Sequence, residues 1–213
     1  EVKHSHNYSP RVKGDAGKIA EAVAMIAKAK KPILYTGGGV INSGPEASAL
    51  LREFAALTGA PVTSTLMGLG AFPASSPQWL GMLGMHGSFE ANNAMHDCDV
   101  MVAIGSRFDD RVTGRLDAFA PGSRKIHIDV DASSIGKNVR ADIGIVGDAG
   151  NVLADMIAVW KQRNLSPDKA AMAEWWTQIE AWRARDSFRY RPDAKLIKPQ
   201  YADIQRVSKG LYK

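Results

Sequence analysis

Four charged residues, Arg107, Asp109, Asp110 and Arg111, fall within the ten-residue run Gly105 to Gly114 (GSRFDDRVTG). The planar fork of an arginine matches phosphate oxygens, so this group is suited to gripping an anion. The same charges could instead satisfy one another as a surface cluster of little energetic worth. Gly37-Gly38-Gly39 poses a similar choice. Glycines let backbone N–H groups approach a phosphate near a helix N-terminus, and they also make ordinary tight turns. The dinucleotide fingerprint G-x-G-x-x-G needs glycine at position 42, which is Asn42, and the second predicted strand ends in Ser64-Thr65 where an acidic residue would hold a ribose. A conventional NAD site is therefore disfavoured. In Gly147-Asp148-Ala149 the carboxylate could accept hydrogen bonds from sugar or nucleotide hydroxyls. A hard cation wants several oxygen ligands, so no metal is expected there.

The remaining reactive residue types are less promising. His4, His6, His96 and His127 are scattered, and His86 sits in Met85-His86-Gly87 at the end of a long loop. His127 lies inside a predicted strand and reads as structural. His96 falls at a helix end, where a cation is favourable. No His/Cys/Asp spacing makes a zinc site. No serine has a G-x-S-x-G setting, and Cys98 precedes a strand, on the wrong edge for a nucleophile.

These residues need elements to position them. Asp15 can cap a helix running to about Lys30, with Ile19, Ala22, Val23 and Ile26 on one face. Pro45 opens a second helix, which Gly59 ends. Further helices fit at about 88–97, 151–163 and 166–190, the last carrying Met172, Trp175, Trp176, Ile179 and Trp182 at helical spacing. A short helix near Gln200 would follow an irregular stretch after Pro192. Apolar runs bounded by turn residues predict strands at Pro32–Tyr35, Pro61–Ser64, Asp99–Ile104, Lys125–Val130 and Ile143–Val146, and residues 66–87 read as a loop. Strands alternating with helices predict a doubly wound α/β fold, a mainly parallel sheet of about six strands with helices on both faces.

The connections entering these strands are short and plain. Those leaving them are long or glycine-rich: Gly37–Gly39, Thr65–Gly70, Gly105–Gly114, Asp131–Asn138 and Gly147–Ala149. In a parallel sheet all exit loops lie on the carboxyl edge, where open α/β sheets bind ligands.

Composition narrows the functional classes. The chain has 213 residues, 45% of them hydrophobic and 23% charged, as in a soluble globular protein. No apolar run reaches the roughly 18 residues of a membrane span. The single cysteine excludes an intramolecular disulfide framework, and an intracellular, cytoplasmic setting is expected. The first residue is Glu1 and no signal-peptide pattern follows, so a fragment or processed product is expected. The net charge of +5 is uneven: residues 1–160 carry 15 Lys/Arg and 16 Asp/Glu, whereas 161–213 carry 12 and 6. The tryptophans of that basic segment fall on a packing stripe, not a base-stacking platform, so nucleic acid is not an expected partner. The domain organisation expected is a linker at 1–14, an α/β domain at 15–165, and a helical linker at 166–213 leading into a truncated further domain.

Taken in order, KPILYTGGGV (31–40), TSTLMGLGAFP (63–73), LGMHG (83–87) with Glu90-Ala91-Asn92, GSRFDDRVTG (105–114), IHIDVDASSIGKN (126–138) and VGDA (146–149) resemble the catalytic large subunit of acetohydroxyacid synthase, also called acetolactate synthase. The resemblance covers residues 1–165, fades through 166–195 and resumes faintly at Ile197–Tyr201. It implies a subunit of three α/β domains, of which this chain is similar to the middle, FAD-binding one. It implies an enzyme that condenses pyruvate with pyruvate or 2-ketobutyrate, losing CO₂, in branched-chain amino acid synthesis. The glutamate that activates thiamine diphosphate and the Mg²⁺ motif would lie in the other two domains, so no catalytic residue is assigned here and the fragment alone is expected to be inactive. A homo-oligomer with a regulatory small subunit is also implied.

The resemblance further assigns cofactor contacts. Gly37, Gly38 and Gly39 would approach FAD by backbone, and Leu66 and Met67 would line its flavin side. His86 and Gly87 would touch the cofactor. Gly105, Arg107 and Arg111 would hold its phosphates or ribityl chain, and Asp129 its adenosine ribose. Ile135, Asp148 and Ala149 would border the adenine and flavin ends, and Arg11 matches a family arginine near FAD. Met85, Asp110 and Arg111 match positions lining the substrate channel. Ser106 stands where the family often has Ala or Val. Two other readings fit the same elements: a non-catalytic nucleotide-binding module, and another thiamine-dependent lyase or oxidase.

Overall fold

The computed structural model describes residues 11–186. The expected short helix near Gln200, the segment after Pro192, His4, His6 and most of the 1–14 linker lie outside the described residues.

The elements follow in the order α1 (Ala16–Ala27), β1 (Pro32–Thr36), α2 (Gly38–Asn42), α3 (Pro45–Thr58), β2 (Val62–Ser64), β3 (Trp79–Met82), α4 (Phe89–Asp97), β4 (Val100–Ile104), α5 (Asp110–Thr113), β5 (Arg124–Asp129), β6 (Ile143–Val146), α6 (Ala149–Gln162) and α7 (Lys169–Arg183). Local chemistry sets their ends. Asp15 accepts from the Lys18 N–H at 2.8 Å to start α1, and Asp168 accepts from Ala170 and Ala171 to start α7. Pro45 occupies the first turn of α3, and Gly59 ends it in the left-handed conformation at φ +69°.

All strands are parallel, in the order β3-β2-β1-β4-β5-β6. Strands buried on both faces need continuous apolar sequence, and β1 (PILYT) and β4 (VMVAI) are buried at every position. Alternate residues serve opposite faces. Leu34, Val102 and Ile126 pack under α1, α3 and α6, while Ile33, Tyr35, Met101 and Ala103 pack under α4 and α7. The tryptophan stripe belongs to this second core: Trp175 is 1% exposed and its indole N–H donates to the Pro32 carbonyl at 3.1 Å. Burying one such ring stabilises by roughly 5 kcal/mol at about 25 cal/mol per Å². Residues 169–183 thus complete the core of the body to which 15–165 belong.

One strand differs from expectation. Residues 66–87, read as a loop, contain a 3₁₀ turn at Leu66–Gly68 and the edge strand β3. Gly81 has φ +91° and the β2–β3 register shifts, so β3 is an irregular edge strand. Arg183 of α7 holds it by donating to the carbonyls of Pro77 and Trp79 at 2.7 and 2.8 Å.

Candidate functional site

Strand order reverses between β1 and β4, and the chain leaves both strands through glycine. The Gly37 N–H donates to the Ile104 carbonyl at 3.0 Å and the Gly39 N–H to the Gly105 carbonyl at 2.9 Å. A Cβ on Gly37 would collide with the Gly105 carbonyl oxygen, and one on Gly39 would lie 2.6 Å from the Gly105 Cα. Gly105 itself has φ +56°. The third exit loop joins them: a Cβ on Gly68 would sit 2.6 Å from the Thr36 carbonyl oxygen. These glycines let three exit loops touch. The segment 83–88 then meets the fourth side, where the Met85 N–H donates to the Arg111 carbonyl at 2.8 Å.

Above this junction lies an open cleft of about 620 Å³, within the size range of small-molecule sites. It occupies the crevice at the topological switch point. Its walls include Gly38, Gly39, Leu66, Met67, Met85, His86, Gly105, Arg107, Asp110, Arg111 and Asp129, all predicted from sequence. Sequence reasoning missed Asn42, Thr65, Met82, Leu83, Val112 and Val130 as walls. Their signal was position alone: Thr65 and Val112 lie within exit loops already singled out, Asn42 and Val130 lie close to such loops, and Met82 and Leu83 belong to the 66–87 segment.

The walls are chemically divided. Leu66, Met67 and Met85 are 69%, 75% and 64% exposed, an apolar group at the mouth. The charges line the same cleft. Arg107 pairs with Asp109 at 3.1 Å, with side chains 69% and 44% exposed, so the pair is solvated and readily exchanged for another partner. The Arg111 guanidinium lies 3.8 Å from the Met85 sulfur. Asp129, at the end of β5, accepts the Asp131 N–H at 2.9 Å on one oxygen. Such a division suits a ligand with an apolar ring system, an anionic centre and hydroxyls.

The other expected residues lie elsewhere. Gly87 packs in its own turn, where a Cβ would be 2.6 Å from the Leu83 Cα. Gly37 forms the loop junction beneath the cleft. Ile135 borders a separate cleft of about 520 Å³ with Lys18, Arg140 and Val146. The Asp148 carboxylate caps α6, accepting from Gly150 and Asn151 and from the Ser43 hydroxyl at 2.6 Å. Ala149 is buried in the core, and Arg11 is exposed and not among the cleft walls.

Among the described residues there is no group of three or more His, Cys, Asp or Glu able to hold a metal, and no helix long and apolar enough to cross a membrane. Burial pushes the Cys98 thiol up to about 12, leaving it unreactive.

A family model described as thiamine pyrophosphate enzyme, central domain, matches residues 19–156. The acetolactate synthase isozyme 3 large subunit of Escherichia coli (strain K12) is 45% identical over 206 residues, covering 96% of this chain and 36% of that protein. The acetolactate synthase large subunit of Haemophilus influenzae is 44% identical over 206 residues, covering 96% and 35%. Acetolactate synthase of Mycobacterium leprae is 45% identical over 195 residues, covering 91% and 31%. The chain thus spans about a third of the length of the curated relatives it matches.

Proposed function

Because the chain belongs to the thiamine pyrophosphate enzyme central-domain family, we propose that it is the FAD-binding central domain of an acetolactate synthase large subunit. The observation that supports this best is the divided cleft at the β1–β4 switch point. Leu66, Met67 and Met85 offer an apolar surface for a flavin ring, Arg107 and Arg111 offer charge for a diphosphate, and Asp129 offers an acceptor for a ribose. The donor set therefore fits FAD. Bound there, FAD contributes binding and order and takes no redox part in the main condensation.

In this reading the chain's own residues bind and orient. Arg107 exchanges its solvated partner Asp109 for phosphate oxygens, a trade that is cheap because the pair is exposed. Met85, Asp110 and Arg111 border the channel through which 2-keto acids reach the reaction centre. Thiamine diphosphate, Mg²⁺ and the activating glutamate belong to the rest of the subunit, which forms a homo-oligomer and associates with a regulatory subunit. The complete enzyme joins two 2-keto acids with loss of CO₂.

The test is titration of the protein with FAD, FMN and ADP, followed by flavin fluorescence and calorimetry. Saturable binding with FAD preferred over both is expected. FAD binding no tighter than ADP would overturn the reading in favour of a nucleotide-binding module. Substrate profiling of the full-length subunit separates acetolactate synthesis from another thiamine-dependent lyase or oxidase.

A further inference from the structure

The loop that carries Arg107 and Asp109 is held from below in an unusual way. Three consecutive carbonyls, those of Ser106, Arg107 and Phe108, each meet a side chain from another part of the chain. His127 Nε2 lies 2.9 Å from the Ser106 oxygen, Tyr35 Oη donates to the Arg107 oxygen at 2.8 Å, and Asn138 Nδ2 donates to the Phe108 oxygen at 2.8 Å. A carbonyl only accepts, so the His127 proton is on Nε2. The Nδ1 atom of that ring is buried without a partner.

Strand register explains the arrangement. Tyr35 on β1, Ala103 on β4 and His127 on β5 are neighbours in one row across the sheet. The small Ala103 leaves a gap between the two larger rings, and Phe108 fills it. Its ring centroid lies 5.6 Å from that of Tyr35 and 5.1 Å from that of His127. Ser106 also points down, its hydroxyl donating to the Tyr35 carbonyl at 3.2 Å. With Ser106 and Phe108 pointing down, the neighbouring Arg107 and Asp109 are left on the upper, cleft side.

We propose that Tyr35, His127 and Asn138 are positioning residues for the cofactor cleft: they fix the 106–108 carbonyls and thereby hold Arg107 and Asp109 up toward the ligand. The inference rests on the cleft being the FAD site, but its first readout does not. In the ligand-free full chain, hydrogen exchange is measured for Tyr35→Phe, His127→Leu and His127→Gln. Tyr35→Phe removes only the hydroxyl. His127→Leu removes the donor, and His127→Gln can restore one at the same distance along the side chain.

Tyr35→Phe and His127→Leu are expected to speed exchange of the 105–111 amides about tenfold and to leave β1, β4 and β5 protected, because a buried acceptor has lost its donor. His127→Gln is expected to stay near the parent. FAD affinity should fall about tenfold in the first two variants and recover in the third. Unchanged loop exchange in both Tyr35→Phe and His127→Leu overturns the proposal. So does acceleration spread equally over the strands, which would mark a general packing role. If the parent binds no FAD, the assignment of the cleft fails while the exchange pattern still decides the positioning role.

Discussion

The two edges of the sheet use the same residue types to opposite ends. On the amino edge, Asp99 accepts the N–H groups of Lys30 and Lys31 at 2.7 and 2.9 Å, and Asp142 accepts that of Lys125 at 2.7 Å. The Lys125 ammonium in turn donates to the carbonyls of Ala120 and Ser123. Every one of these charges is committed to backbone. On the carboxyl edge, Arg107 and Asp109 hold only each other, the Arg111 guanidinium faces a thioether, and Asp110 lines the cleft. A committed charge fixes a strand entrance. An uncommitted one can meet a ligand. Asp148 shows that location alone does not decide, since it lies past β6 on the carboxyl edge and yet caps a helix.

The contrast can be tested by substitution on each edge. The largest effect is expected where the exit loops touch. Gly39→Ala places a methyl 2.6 Å from the Gly105 Cα, so backbone must move. Overpacking of this kind costs about 3 kcal/mol, which lowers Tm by about 10 °C and abolishes FAD binding. Next, Asp99→Ala strands two N–H groups on the amino edge. Thermal unfolding should show a loss of about 2 kcal/mol, with FAD affinity unchanged. A drop in affinity would break the division between the edges. Arg111→Ala on the carboxyl edge should do the reverse. FAD titration is expected to show about tenfold weaker binding, a loss that shrinks in high salt, with Tm unmoved.

A smaller effect is expected from pH. Burial holds the His127 imidazole below its ordinary value, chiefly by desolvation, against the pull of the Ser106 carbonyl and Asp129. Above about 6.5 the ring is neutral in both folded and unfolded chains and contributes no slope. Below about 6.5 the unfolded chain takes up a proton that the folded one refuses, so stability falls as pH falls, by at most about 1.4 kcal/mol per unit. The slope flattens once the folded histidine protonates. Denaturant titrations of the parent and His127→Gln between these limits isolate that contribution, and identical slopes would show that His127 is not the group responsible. The smallest effect belongs to Arg115→Ala, which removes an exposed ion pair with Asp117 and should leave Tm and affinity unchanged.

Much of the fold was legible because its signals are local. The runs at β1 and β4 are short and apolar, β5 and β6 carry isoleucine at alternate positions, and Asp15, Pro45 and Gly59 mark helix ends in a few letters. β3 was not legible, because its pairing with β2 shifts register and its place depends on Arg183, a hundred residues away. The glycine run was open to two readings, and the structure shows Gly37 and Gly39 in loop-to-loop contact while Gly38 and Gly39 also line the cleft. Asp148 could have been read as a cap, since an aspartate immediately before an apolar helical period is an N-cap pattern. The support under the 105–111 loop could not have been read. It depends on Tyr35, Ala103 and His127 sharing one row, and register between distant strands leaves no mark on any single segment.

Because α7 follows all six strands in the chain, one face of the sheet is completed late. The face of the sheet that carries Tyr35 and Phe108 is closed by Met172, Trp175 and Ile179. At roughly 5–20 residues per second, synthesis from Val146 to Trp182 takes about 2–7 s. Throughout that interval all six strands exist while the part of that face under α7 is still uncovered. The Arg107 loop rests on that face through Phe108, so its final seat must await α7. Nascent chains are most exposed to chaperones and to misassembly in this window.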